Sequence, residues 1–265
     1  QIAQLEQHFG KPLFEKSGRN LVLTENGKQV LQYADEIFSL GNELEQNIRS
    51  SNRDQISTLH VGIANVVPKT VAYRLIAPAL KQDIATRVIC RENNLTDLLA
   101  DLALHRLDLI IADGPIPSGV SVKGFNHHLG ESGLSFMASQ ALAATLEGPF
   151  PQCLHGAPLL IPGSNNVIRA RLIDWLSEQK IFPRLVGEFD DSALMKVFGQ
   201  DGIGVFPVPT AIADEVTEQY HVTCVGQTDE VAEQLYAISI ERKLKHPAVR
   251  AITQSARNWL RASGF

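Results

Sequence analysis

From residue 58 onward the chain alternates short β-branched or apolar runs with segments of helical length, and no other feature restricts its fold as much. The strand-like runs are Leu59 to Ala64, Arg87 to Cys90, Leu107 to Ala112, Leu134 to Ala138, Leu159 to Ile161, Ile203 to Phe206, Val222 to Val225 and Leu235 to Ile240. Helical patterns lie between them at residues 69–81, 94–105, 166–179, 192–200, 209–219 and 247–262. This order predicts an α/β fold with a mostly parallel sheet covered on both faces. Such sheets bind ligands beyond the carboxyl ends of their strands, so a site is expected in the loops after Ala64, Ala112, Ile161 and Phe206.

The stretch before residue 58 reads differently. Ile2, Leu5 and Phe9 mark the end of a helix, Gly10-Lys11-Pro12 stops it, and a small hairpin follows with a basic tip at Lys16-Ser17-Gly18-Arg19-Asn20. So short a piece buries no core of its own, and the chain opens on Gln1, so the rest of that domain is expected before residue 1. Thr24 can cap a helix running to about Arg49, on which Val30, Ile37 and Leu44 recur every seven residues. A long helix with one apolar stripe needs a partner; a second copy is the simplest, and packing on its own body is the alternative. The polar run Ser50 to Gln55 reads as a linker.

Composition excludes several functions. With 24 Lys and Arg against 29 Asp and Glu, the net charge of −5 rules out coating nucleic acid by bulk positive charge but leaves room for a small basic patch. Cys90, Cys153 and Cys224 lack metal-knuckle or dithiol spacing and read as buried small hydrophobes in a reducing cytoplasm. No run of 18 apolar residues and no signal pattern is present, which points to a cytoplasmic chain without a membrane partner. Gly199, Gly202 and Gly204 do not form a dinucleotide fingerprint, and there is no P-loop, nucleophile elbow or paired-histidine helix. His127, His128 and His155 read as ordinary surface or core histidines, so neither an enzyme nor a bound cofactor is expected.

The run Gln4-Leu5-Glu6, then Phe9 through Arg19, then Leu23-Thr24-Glu25-Asn26-Gly27, resembles the LysR-type transcriptional regulator family at the end of its recognition helix, its wing and the start of its linker helix. Leu98-Leu99, Leu107 to Ile111 and Gly202 to Pro207 resemble the family's effector domain. The resemblance implies a two-lobed, periplasmic-binding-protein-like (type II) effector domain behind a long linker helix and a truncated winged helix-turn-helix. Residues 1–24 would be the remnant of that head and 25–56 the dimerising linker helix. Residues 58–128 with 243–265 would form effector subdomain I, and 129–242 subdomain II. Promoter DNA, further copies of the chain as dimer or tetramer, and a small effector are the implied partners. Leu159 to Gly163, Gly187 to Gly199, Gly130 to Phe136 and His246 to Val249 resemble members that respond to sodium and activate sodium/proton antiporter genes. A different metabolite or anion is the competing effector, and a free-standing solute-binding protein the competing class. His105 departs from the family, which usually has a small turn residue there.

The resemblance directs attention to particular residues. Lys16, Ser17 and Arg19 at the hairpin tip can reach phosphates or a narrow minor groove, against the plainer reading of a surface turn. Pro162 to Asn166 leads a strand into a helix, where Ser164 and Asn165 can cap and free amides can hold an anion. Asn65, Thr70 and Phe206 would border the same cleft. Asp113, Asp190 and Asp191 fall where the cleft walls meet, and carboxylate and amide oxygens suit a hard cation such as sodium. Helix capping by Asp191, with Asp190 in a turn, is the other reading.

Overall fold

The structure is a computed structural model and describes residues 1–17, 20–31, 33–34, 37–38, 41, 57–81, 85–120, 122–164, 166–240 and 246–262. Of the residues singled out above, Gly18, Arg19, Leu44, Arg49, the linker Ser50 to Gln55 and Asn165 lie outside the described residues. The chain separates into two compact units, Gln1–Gln55 and Ile56–Phe265.

In the first unit, helix α1 (Ile2–Phe9) ends on Gly10, whose φ of 65° places it in the left-handed region that glycine adopts without a Cβ penalty. Strands β1 (Phe14–Ser17) and β2 (Asn20–Leu23) form the antiparallel hairpin, with Phe14 opposite Leu23. Glu6 ties helix to hairpin, because its Oε1 accepts from the amides of Leu13 at 2.7 Å and Phe14 at 3.2 Å. Thr24 caps the next helix as its sequence predicts: its hydroxyl accepts from the Gly27 amide at 3.0 Å and donates to the Pro12 carbonyl at 2.8 Å. Lys16 is exposed on β1, Val30 is half-buried and Ile37 is 68% exposed.

The second unit is built on a six-stranded sheet of order β4-β3-β5-β10-β6-β9 and a two-stranded sheet β7-β8. The strands are β3 (Ser57–Ala64), β4 (Thr86–Asn93), β5 (Leu109–Ala112), β6 (Phe125–Ser139), β7 (Pro158–Pro162), β8 (Arg184–Phe189), β9 (Phe206–Pro209) and β10 (Val222–Ser239). The helices are α2 (Lys69–Ile76), α3 (Leu95–Ala103), α4 (Gln140–Ala143), α5 (Val167–Glu178), α6 (Ser192–Gln200), α7 (Ala213–Tyr220) and α8 (Pro247–Ala262). One lobe gathers β3, β4 and β5 with α2, α3 and α8; the other gathers β7, β8 and β9 with α5, α6 and α7. Strands β6 and β10 run through both.

The expectation of a mostly parallel sheet needs correction. Among the described residues, only the β3–β4 and β3–β5 pairs of the six-stranded sheet are parallel, whereas β10 runs antiparallel to both β5 and β6, and β6 antiparallel to β9. Val222 to Val225 and Leu235 to Ile240 looked like two strands because irregularities near Cys224, Thr228 and Leu235 interrupt the period-two pattern of one strand of 18 residues. Strand β8 was not anticipated; its burial pattern is mostly exposed, so it carries little hydrophobic signal. The cysteines also differ from expectation: Cys153 is buried, but Cys90 on edge strand β4 and Cys224 beside the first irregularity of β10 are exposed. His105 takes a φ of 59°, so this side chain occupies the left-handed turn where a smaller residue would be less strained.

Two buried clusters support the lobes. The larger includes Leu59, Val61, Leu98, Leu109, Ile110 and Ile252 and continues across the sheet to Met195, Phe206 and Val208. The smaller packs Phe136, Leu159, Ile161, Leu172 and Trp175. Gly199 sets the spacing between α6 and β9, because a Cβ there would meet the Phe206 ring at 2.0 Å. Replacing a helix-interior glycine by alanine ordinarily gains up to about 1 kcal/mol and gains less in the last turn, where Gly199 sits, but overpacking a core costs about 1–3 kcal/mol. Gly199→Ala is therefore expected to lower stability in chemical denaturation, and a stabilised variant would contradict this packing.

Candidate effector cleft

The loops that follow β3, β7 and β8 converge where the two lobes meet, and the starts of α5 and α6 converge with them. They enclose a cavity of about 30 Å³ lined by Val66 and Pro68 after β3, Pro162, Asn166 and Ile168 at the start of α5, Phe189, Asp190, Ser192 and Met195 around α6, Leu134 of β6, Pro207 to Pro209 of β9, and Glu233 of β10. Such a space holds about two waters and no large organic ring.

Each wall has a local cause. Arg169 on α5 grips Glu188 through both guanidinium nitrogens, at 2.5 and 2.9 Å, and donates to the Pro162 carbonyl at 3.0 Å, which fixes the end of β7 against β8. The exchange holds the Glu188 carboxylate below its ordinary pKa and the guanidinium above its own. Gly163 then allows close approach, since a Cβ on it would strike the Asp190 carboxylate at 1.9 Å. Asp190 itself is exposed at the rim.

The other predicted residues fall in different places. Asp191 caps α6, its Oδ1 accepting from Ala193 at 2.6 Å and Leu194 at 3.4 Å, so the capping reading describes its geometry. At α5 the cap is Asn166, whose side chain accepts from Ile168 at 2.9 Å, and not Ser164, which is exposed. Asn65 is exposed and Thr70 half-buried in the first turn of α2; neither lines the cavity. Phe206 is fully buried in the core beneath Gly199, one residue before the cavity wall begins at Pro207. Asp113, at the end of β5, is 8% exposed and accepts from the Val167 amide, the first of α5, at 3.5 Å. That long contact joins one lobe to the helix start of the other. Burial raises the Asp113 pKa, and the Val167 amide offsets part of the rise.

Sequence reasoning missed two residues. Glu233 is 7% exposed and lines the cavity, and burial, aided by the nearby Asp113 charge, pushes its carboxyl up to about 8 against the opposing pull of Lys196. Lys196 on α6 is 3% exposed, and burial lowers its pKa although Glu233 and Asp191 raise it. Both had a signal. Val231, Glu233, Leu235 and Ala237 are all buried at period two, so Glu233 occupies a core-facing position of β10. On α6, Met195, Lys196 and Gly199 are buried while Leu194 and Val197 are 51% exposed, an inversion of the usual helix pattern. Among the described residues no group of three or more His, Cys, Asp or Glu side chains has the arrangement of a classical metal site, and no helix is long and apolar enough to cross a membrane.

Known proteins place this architecture. The LysR substrate binding domain family matches residues 52–261. The transcriptional activator protein NhaR of Escherichia coli is 34% identical over 252 residues, covering 95% of this chain and 82% of the relative. The transcriptional activator IlvY of Haemophilus influenzae is 26% identical over 266 residues, covering 95% of this chain and 86% of the relative. Among solved structures, the LysR family regulator CbnR covers 97% of this chain and 88% of its own at a TM-score of 0.61 with 16% identity. The effector-binding domain of QuiR, solved with shikimate, covers 78% of this chain and 99% of its own at a TM-score of 0.58 with 13% identity. The fold of the second unit is that of these effector domains, and the chain belongs to the LysR family of transcriptional regulators, close to NhaR.

Proposed function

We propose that this regulator senses sodium ion in the inter-lobe cleft and controls sodium/proton antiporter genes from a promoter site read by its DNA-binding head. The observation that carries the reading is the cavity itself: about 30 Å³, bordered by the carboxylates of Asp190 and Glu233, with Asp113 buried beside it at the lobe junction. Room for an ion and a water or two, edged by hard oxygen donors, suits sodium better than a shikimate-sized metabolite. The stretches that resemble sodium-responsive members, and the similarity to NhaR, support this reading. Asp190 and Glu233 border the ion, Asp113 adds to the local negative field, and Asp191 supports the site by capping α6. Sodium drawing these groups together favours one lobe arrangement, which self-paired linker helices carrying Val30, Ile37 and Leu44 transmit to the head. No chemical step is involved.

Two measurements test this reading. Titration with sodium or potassium chloride at equal ionic strength, followed by the fluorescence of Trp175 and Trp259, is expected to give a response selective for sodium that Asp190→Asn weakens; identical curves for the two cations would contradict sodium sensing. In the DNA-binding head, Lys16, Ser17 and Arg19 contact the DNA backbone without reading bases. Arg19→Ala in the DNA-binding regulator should lower affinity for all sequences alike and flatten the salt dependence by about one unit, whereas an unchanged slope would remove the hairpin tip from the interface.

A further inference from the structure

Among the described residues one ion pair joins the two lobes. Arg74 on α2 donates through a guanidinium nitrogen to Oε1 of Glu215 on α7, whereas the other ion pairs of the second unit each stay within a lobe. The two helices meet with matching ends. Arg74 lies in the last turn of α2, and Asp214 and Glu215 lie in the first turn of α7. A cation thus occupies the negative end of one helix dipole and carboxylates the positive end of the other. Arg74 is exposed and Glu215 half-buried, while Leu75 and Ile76 of α2 and Ile212 and Val216 beside Glu215 belong to one buried cluster.

Both helices also issue from the wall of the cavity. Pro68 lines it from one lobe and directly precedes α2; Pro209 lines it from the other and leads through the turn Thr210–Ile212 into α7. Arg74 and Glu215 each stand six residues beyond those prolines.

We infer that Arg74 and Glu215 form a latch between the lobes, which biases the effector domain toward the lobe arrangement seen here. A change in the spacing of Val66 and Pro68 from Pro207 to Pro209 is carried along α2 and α7 to the pair, whose attraction is strongest at contact and so favours one spacing over others. The latch acts whatever enters the cleft, so it goes beyond the sodium reading and does not depend on it. Water screens a pair this exposed, which limits its effect to about two- to fivefold in the ratio of two arrangements. A bias of that size suits a reversible device, because an effector with a modest preference for the other arrangement overcomes it.

The test reads the lobe separation directly. Cys90 on β4 is exposed in one lobe and Cys224 of β10, opposite Met137 of β6, is exposed in the other, while Cys153 is buried. Spin labels on Cys90 and Cys224, in labelled chains diluted with unlabelled ones, give the distance between lobes by double electron–electron resonance. In dilute potassium chloride without sodium, Arg74→Glu, Glu215→Arg and the milder Glu215→Gln should each shift the population about two- to fivefold away from the parent's main distance. The exchanged double variant, Arg74→Glu with Glu215→Arg, should recover most of the parent distribution. Raising potassium chloride to about 1 M should move the parent in the same direction as the single variants. Single variants that keep the parent distribution would overturn the latch. A double variant that recovers nothing would overturn it too, since the substitutions would then have disturbed shape and not charge. Should a charge reversal alter the circular dichroism spectrum, Glu215→Gln alone decides between these outcomes. Because no sample contains sodium, failure of the latch leaves the sodium reading standing, and failure of the sodium titration leaves the latch.

Discussion

The antiparallel pairing of β6 with β10 is the constraint on which the rest of the effector domain depends. These two strands run through both lobes, and their ladder carries one large irregularity between two smaller ones, at Cys224/Gly226 and Leu235/Tyr236. Thr228 pairs with Leu134 and Glu233 with Ser132, so Asp229 to Ala232 leave the register at the lobe junction. Gly133 makes this geometry accessible: a Cβ on it would meet Asp229 Oδ1 at 2.5 Å and the Thr228 carbonyl at 2.6 Å. Helix α5 then pins the displaced segment, with Trp175 Nε1 donating to Glu230 at 2.5 Å and Arg171 donating to the Ala232 carbonyl at 3.0 Å. Glu233 is the first residue to rejoin the ladder, and its side chain returns to the core face at the place where the cavity lies.

A buried acid near a buried lysine, with no contact between them among the described residues, is unfavourable for folding alone, since each would be more stable in water. The surroundings carry that cost through the two hydrophobic clusters and through the capped starts of α5 and α6, which bring polar groups to the junction without leaving their amides bare. Under the proposed sensing of sodium, the same arrangement would make the cleft responsive to an ion. Groups whose charge is poorly compensated in the resting cleft gain most when a cation enters, and the gain is available only where both lobes contribute. On that proposal, Asp113 and its long contact with Val167 would supply the cross-lobe part of the coupling.

Much of this organisation was legible in the sequence. The helices over 192–200 and 247–262 coincide with α6 and α8, and Thr24 caps the helix it was expected to cap. Apolar periodicity marks these because each buries one face. What stayed hidden has physical causes. Strand β8 exposes most of its residues, and β10 reads as two pieces because the polar run from Thr228 to Gln234 imitates a loop. At the site, carboxylates next to turns were visible as Asp113, Asp190 and Asp191, but capping and ligation use the same residues at the same places. Only coordinates separate Asp191, which holds α6, from Asp190, which borders the cavity. Glu233 and Lys196 break the patterns of their own strand and helix, and such breaks are where a sequence points to function against packing.

Hydrogen exchange at the Val167 amide and at residues 231–235 of β10 tests most directly whether the lobe junction is the sensing element. Slower exchange at both places in sodium, and unchanged exchange in potassium at the same ionic strength, is the result that cation binding between the lobes requires. Equal protection in the two salts, or protection confined to one lobe, would contradict it.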